Sequence, residues 1–283
     1  MSTAPRHRED RTALARALFP DLAEQLDAAY ARHADPAGVA AGTGLAGADG
    51  LDAWLDAEAA RLRAGDLSGA AFAGLGDERV RHRFEAAFEL AARVLSRLGL
   101  SVPEPEEFEA AGVDLAALGA ACAAEERLTP VPAPHGLGAE DWRALYAGDP
   151  ELLLASEIVR DFAELDRVAE PGIPRVSEVD ARGRSLSWTL RLIPADEAPP
   201  LLGLAHASGP HPSLPEMLLL QAMRAAAGEA PVDQRSFTWL AGTLGGGALA
   251  ARAIYDDAER AVRVSSRGVS NQGPHLGARP PVG

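Results

Sequence analysis

Residues 213–228, SLPEMLLLQAMRAAAG, are the segment that most constrains how this chain can fold. Ser213 and Glu216 have the spacing of a capping box, and Pro215 suits the first turn of a helix. Gly228 suits a left-handed helix end. A helix with so few polar positions must be covered by other elements on nearly all sides. Strand-like segments precede and follow it, so we expect a sheet packed over this helix.

The rest of the C-terminal half has the two-residue period of β-strands. Residues 185–193 alternate strictly between polar and apolar side chains, and residues 175–181 are their expected hairpin partner. Further strands are expected at residues 201–207, 236–240 and 262–266.

Helical patterns dominate the first part of the chain. Apolar stripes predict a helix that begins near Pro20 and ends near Asp35, and further helices over residues 51–62, 77–98 and 106–127. The last is interrupted by Gly112, and its second part places Cys122 in a buried core. Helices followed by strands indicate an α+β class: a helical N-terminal region followed by a C-terminal antiparallel sheet packed on a central helix.

The segment LTPVPAPHGLG has three alternate prolines and then two glycines, a composition typical of an extended linker. We therefore predict a helical domain over residues 1–128, a linker over residues 129–138 and an α+β domain over residues 139–283. A long helix is expected over residues 150–165. The domain should end in an extended tail, residues 268–283, where three prolines disfavour strand pairing.

Composition restricts the compartment and the partners. The formal net charge is −14, which argues against a general nucleic-acid binder, and Cys122 is the single cysteine, so no internal disulfide is possible. No segment has the apolar length of a signal-peptide core or a membrane span. We expect a cytoplasmic protein that does not enter membranes.

All 27 basic residues are arginine, and the chain contains no lysine. A Walker A loop, a pyridoxal Schiff base and a Ser-Lys acylase each require lysine, so these classes are excluded. Either GC-rich coding bias or the avoidance of modification on amines would explain this composition.

The glycines of residues 242–247 do not have the spacing of a dinucleotide-binding loop, and we interpret them as a turn between strands. The alanine-rich residues 248–261 are compatible with a strand or a helix.

Histidines are the first candidate functional residues. His206, His211 and His275 are expected in loops or at strand ends, where they could form a three-ligand metal site or an acid–base pair. The alternative is that they form hydrogen bonds with the backbone. Their spacing selects no metal, and the sequence does not identify a cofactor.

Arginines are the second candidate. Arg263 and Arg267 are expected on one strand face, where they could bind a carboxylate or phosphate, or pair with acidic residues of the chain itself.

No catalytic motif is recognisable, and two functions follow as alternatives. The first is a non-catalytic interaction or assembly protein that contacts a protein partner through its C-terminal domain and tail, and it allows a homo-oligomer. The second is a small-molecule enzyme with an acid–base or metal site at the three histidines. A third possibility is a regulatory protein that sequesters a charged partner.

Overall fold

The computed structural model describes residues 72, 74–148, 150–167, 172–180 and 182–283. The helix predicted from about Pro20 to Asp35 and the helix predicted over residues 51–62 lie outside these ranges. Within them, no helix combines the length and apolar character needed to cross a membrane.

Seven α-helices lie in the described ranges: α1 (Glu78–Leu95), α2 (Pro105–Ala110), α3 (Leu115–Ala124), α4 (Ala139–Leu145), α5 (Ser156–Arg160), α6 (Phe162–Leu165) and α7 (Leu214–Ala227). Short 3-10 turns lie at Ser96–Leu98, His206–Ser208 and Gly245–Gly247. Cys122 on α3 is fully buried, as predicted, and burial raises the pKa of its thiol.

The strands form two sheets. The first has the order β1-β4-β3 and contains β1 (Leu128–His135), β3 (Val176–Val179) and β4 (Ser185–Pro194). The second has the order β2-β8-β7-β6-β9-β5 and contains β2 (Glu151–Leu154), β5 (Leu201–Leu202), β6 (Phe237–Trp239), β7 (Leu249–Asp256), β8 (Ala261–Gly268) and β9 (Leu276–Ala278). The predicted α+β class is confirmed. The pairs β2–β8 and β6–β9 are parallel, and the others are antiparallel.

Helix α7 is the central helix that the sequence predicts. The Ser213 hydroxyl accepts a hydrogen bond from the Glu216 N–H, the Glu216 carboxylate accepts one from the Ser213 N–H, and Gly228 ends the helix with φ of 70°. Every residue of α7 from Leu214 to Met223 is buried. The helix contacts both α1 and β1, so the helices and the first sheet share one hydrophobic core.

The linker interpretation of residues 129–138 is wrong for most of the segment, because residues 128–135 form the buried strand β1. N–H groups on a strand point alternately to its two sides, so three alternate prolines lack their donors on one side only. The opposite side keeps the donors that pair with β4, the one strand paired with β1 among the described residues. Alternate prolines are therefore compatible with an edge strand, which their composition alone does not reveal.

Residues 151–154 were predicted as helix and form β2 instead. Leu152 and Leu154 pair in parallel with Val262 and Val264 of β8, so contact with a distant strand overrides the local helical signal. Residues 249–256, compatible with either structure from composition, form β7, as expected if the preceding glycines make a turn between strands.

The tail was predicted to be extended and unpaired, and this is also wrong. β9 lies between β5 and β6, and Val282 forms a bridge with Leu192. Arg279 is completely buried and forms an ion pair of 2.6 Å with Asp233, which is also completely buried. The tail is thus part of the folded core, because its one arginine satisfies a carboxylate that no water reaches.

Candidate functional site

A cleft of about 1050 Å³ lies over one face of the first sheet. Its walls come from the end of β1 and the turn that follows, from α5 and α6, and from the hairpin of β3 and β4. His135, Ser187 and Ser177 are aligned across the three strands, and paired residues share a sheet face. The floor of the cleft is therefore polar. We call this space the Asp166 cleft, after the carboxylate described below.

His135 connects the cleft to the core. Its Nδ1 lies 2.8 Å from the backbone oxygen of Asp166, and its Nε2 lies 3.1 Å from Thr189 Oγ1. A carbonyl oxygen accepts only, so Nδ1 carries the proton. Burial lowers the pKa of His135, and the ring is therefore neutral at pH 7 with a lone pair on Nε2.

The network continues to a buried ion pair. Thr189 Oγ1 lies 3.2 Å from Glu216 Oε1, and Arg191 donates to both oxygens of that carboxylate at 2.7 and 2.6 Å. Burial alone would raise the pKa of Glu216, but the hydrogen bonds and positive charge of Arg191 outweigh it and lower the pKa. Thr189 has a single proton for two acceptors, His135 and Glu216. A continuous chain of polar groups thus runs from α7 to the cleft.

Asp166 lies at the cleft end of this chain, which contacts its backbone oxygen, and its carboxyl group lies beside that contact. Its Oδ2 accepts a 2.6 Å hydrogen bond from the N–H of Gly136, whereas its buried Oδ1 has no hydrogen-bond partner among the described residues. Burial raises the pKa of Asp166 to about 7, against the Gly136 hydrogen bond and with help from the negative charge of Asp141. At neutral pH the carboxyl group can therefore both donate and accept a proton.

Gly136 makes this arrangement possible. Its φ is 101°, in the region that favours glycine, and a Cβ atom there would lie 2.6 Å from the backbone oxygen of Ser185. The turn can approach β4 closely enough to direct its N–H at Asp166 only because the side chain is absent.

The mouth of the cleft combines positive charge with exposed apolar groups. Arg167 and Arg175 both line it, and neither forms an ion pair with a carboxylate of a described residue. Val159 on one wall is 36% exposed, and Val179 on the β3 wall is 69% exposed. This surface suits a ligand that carries negative charge and some apolar groups.

The predicted histidines lie elsewhere, near the second sheet. His206 and His211 stack with ring centres 4.7 Å apart, whereas His275 is exposed just before β9. Each stacked ring has its Nε2 close to a carbonyl oxygen, Leu240 for His206 (3.0 Å) and His206 for His211 (2.7 Å). His206 and His211 thus form hydrogen bonds with the backbone, which is the alternative that the sequence allows to a catalytic role.

The three-histidine metal site is not formed. In the part of the chain that the structure describes, which includes all three residues, no group of three or more His, Cys, Asp or Glu side chains could hold a metal ion. Burial lowers the pKa of His206 and lowers that of His211 to about 4, so both are neutral at pH 7.

The predicted arginine pair is divided. Arg263 forms ion pairs with Asp256 at 3.3 Å and with Glu259 at 2.5 Å, as the intramolecular alternative anticipates. Arg267, four residues along the same strand, has no such pair with a described residue.

Sequence reasoning did not find His135 or Asp166, since both lie in or after segments interpreted as linker and helix. A weak signal was present: His135 is followed by two glycines two residues apart, a pattern that allows close backbone approach.

Comparisons of the chain with protein-family models, curated proteins and solved structures return no match.

Proposed function

We propose that this is an interaction protein that binds an extended, acidic segment of a partner polypeptide in the Asp166 cleft. The observation that carries the proposal is the edge of β3. Among the described residues β3 pairs with β4 alone, so the backbone groups along its other side are available to a further strand.

The side chains of this hairpin support a peptide rather than a compact ligand. Arg175, Ser177 and Val179 alternate along the β3 wall and line the cleft. A strand added to this edge would place every second side chain over the cleft, and its acidic residues would meet Arg175 and Arg167. Val159 and Val179 would cover apolar side chains between them.

Binding of strand-length peptides tests the proposal. The probe is a fluorescent peptide of sequence Glu-Ser-Val-Ser-Glu-Ser-Val-Ser, measured by anisotropy, in which glutamate and valine alternate at the positions that share one face of the strand. We expect Arg175→Glu and Val179→Asp to weaken binding about tenfold or more, because each removes a favourable contact and introduces a repulsive or desolvated charge. Arg182→Glu is the matched control, because Arg182 lies at the turn of the same hairpin and does not line the cleft.

Strand addition has its own control on the peptide. Two peptides should be compared, one methylated at the odd-numbered nitrogens and one at the even-numbered nitrogens. Only one of these sets of N–H groups faces β3, so one peptide should lose binding and the other should keep it. Equal loss with Arg182→Glu, or no dependence on N-methylation, would contradict the proposal.

A second candidate is acid–base catalysis on a small molecule in the same cleft. The observation that favours it is Asp166, whose Oδ1 has no hydrogen-bond partner among the described residues and whose pKa of about 7 suits proton transfer. Native mass spectrometry of the purified protein distinguishes the two candidates: a small molecule that is retained by the natural protein and lost in Asp166→Asn favours the enzyme.

A further inference from the structure

Strands β7 and β8 bring two arginines together on one face of the second sheet. Arg252 is paired with Ser265, and Arg267 is two residues beyond Ser265, so the two guanidinium groups are diagonal neighbours. Arg252 donates from Nε to Ser265 Oγ at 3.3 Å, and its guanidinium carbon lies 3.8 Å from the centre of the Phe237 ring. These two contacts hold Arg252 in one orientation and leave its terminal nitrogens available.

The charge of this pair is not compensated within the described residues. Neither arginine forms an ion pair with a carboxylate there, although the chain has 41 acidic residues and 27 basic ones. Arg263, on the same strand face, has two such partners. Burial and the positive charge of Arg267 lower the pKa of Arg252, which is the effect of two like charges held close together.

We propose that Arg252, Arg267 and Ser265 form a binding site for a dianionic phosphate group. Two guanidinium groups match the two negative charges of a phosphate, whereas one carboxylate would leave a positive charge unbalanced. The Ser265 oxygen accepts from Arg252, so its hydroxyl proton is free to be donated to the same phosphate. The phosphate group comes either from free inorganic phosphate or from a phosphomonoester.

Isothermal titration calorimetry with inorganic phosphate, sulfate and phenyl phosphate tests the site. We expect Arg252→Gln and Arg267→Gln each to weaken phosphate binding about tenfold or more, because each removes charge-assisted hydrogen bonds. Arg263→Gln is the matched control on the same strand face and should bind as the natural protein does. Tighter binding of phenyl phosphate than of phosphate assigns the site to a phosphomonoester, and equal affinity assigns it to the free ion.

The pH dependence tests the charge requirement. Phenyl phosphate should bind more weakly at pH 5 than at pH 8, because it loses its second negative charge near pH 6, whereas sulfate should bind equally at both. No binding at millimolar phosphate, or equal weakening by Arg263→Gln, would overturn the proposal. Circular dichroism of each variant confirms that a loss of binding is not a loss of folding. The site is independent of the Asp166 cleft, so Arg175→Glu should leave phosphate binding unchanged.

Discussion

An arginine–carboxylate pair is buried at each of the two sheets, but the hydrogen bonds around the two pairs lead to different places. Arg279 of the second sheet donates to Asp233, to Thr238 and to the backbone oxygens of Pro194 and Asp196, so its hydrogen bonds end within the protein. Glu216, which pairs with Arg191 below the first sheet, passes the network on through Thr189 and His135 to the cleft.

This difference shows that a buried charge alone does not identify a functional site. The network around Arg279 is closed and attaches the tail to the core. The network at Glu216 ends at the backbone oxygen of Asp166, beside the carboxyl group of the same residue, whose buried Oδ1 has no protein partner among the described residues. The open end, rather than the buried ion pair, is what distinguishes the cleft.

The largest effect on stability should come from removing Arg279 from its closed hydrogen-bond network. Arg279→Met leaves Asp233 buried without its partner and should lower the free energy of unfolding by about 3–5 kcal/mol. Urea denaturation measures this change. Arg263→Gln, which removes a partly exposed ion pair, should cost less than about 1 kcal/mol. Similar values for the two variants would mean that Arg279 does not hold the tail.

The next effect concerns the open network and its pH dependence. The native pKa of Asp166, about 7, lies above that of the unfolded chain, so the native state binds the proton more tightly and loses stability as pH rises from about 4 to 7. The total is up to about 4 kcal/mol at about 1.4 kcal/mol per pKa unit. Asp166→Asn keeps an oxygen for Gly136 and should remove this loss. Unfolding free energies at pH 5 and pH 8 test it, and an unchanged slope would contradict it.

His211, beside the second sheet, should show the opposite sign. Its native pKa of about 4 lies below that of the unfolded chain, so stability is lost as pH falls from about 6.5 to 4. The loss is about 3 kcal/mol. Because the Asp166 contribution has the opposite sign over the same pH range, His211→Gln alone should make stability fall more steeply as pH rises from about 4 to 6.5. Since Asp166 and His211 act in overlapping pH windows with opposite signs, the double variant should have a flatter profile than either single variant, and a steeper one would refute the comparison.

The smallest effect tests the turn that reaches Asp166. In Gly136→Ala the new Cβ would clash with the Ser185 carbonyl oxygen, and alanine would also be strained at this positive φ. We expect the substitution to lower the free energy of unfolding by about 2–3 kcal/mol. Gly203→Ala has a similar positive φ with nothing within 4 Å of the added atom, and should cost only about 1 kcal/mol. Thermal unfolding of the two variants measures the difference, and equal costs would show that the close approach is unimportant.

Local signals in the sequence determined the central helix, the hairpin of β3 and β4, and the burial of Cys122. The cap at Ser213, the glycine at 228 and the alternation of residues 185–193 each act over a few residues, so they can be recognised without knowing the fold. The functional alternatives remained open for the same reason, since no local motif identifies a chemistry here.

Tertiary structure decided the rest. The segment with alternate prolines forms an edge strand because β4 pairs with the one side that keeps its N–H donors. The tail is part of the core because Arg279 forms an ion pair with Asp233, 46 residues away in the chain. At the cleft, hydrogen bonds connect His135 to Asp166 and Thr189, which lie 31 and 54 residues further along the chain. Contacts over such separations depend on how the elements pack, and packing is a property of the whole chain that short-range periodicity does not contain.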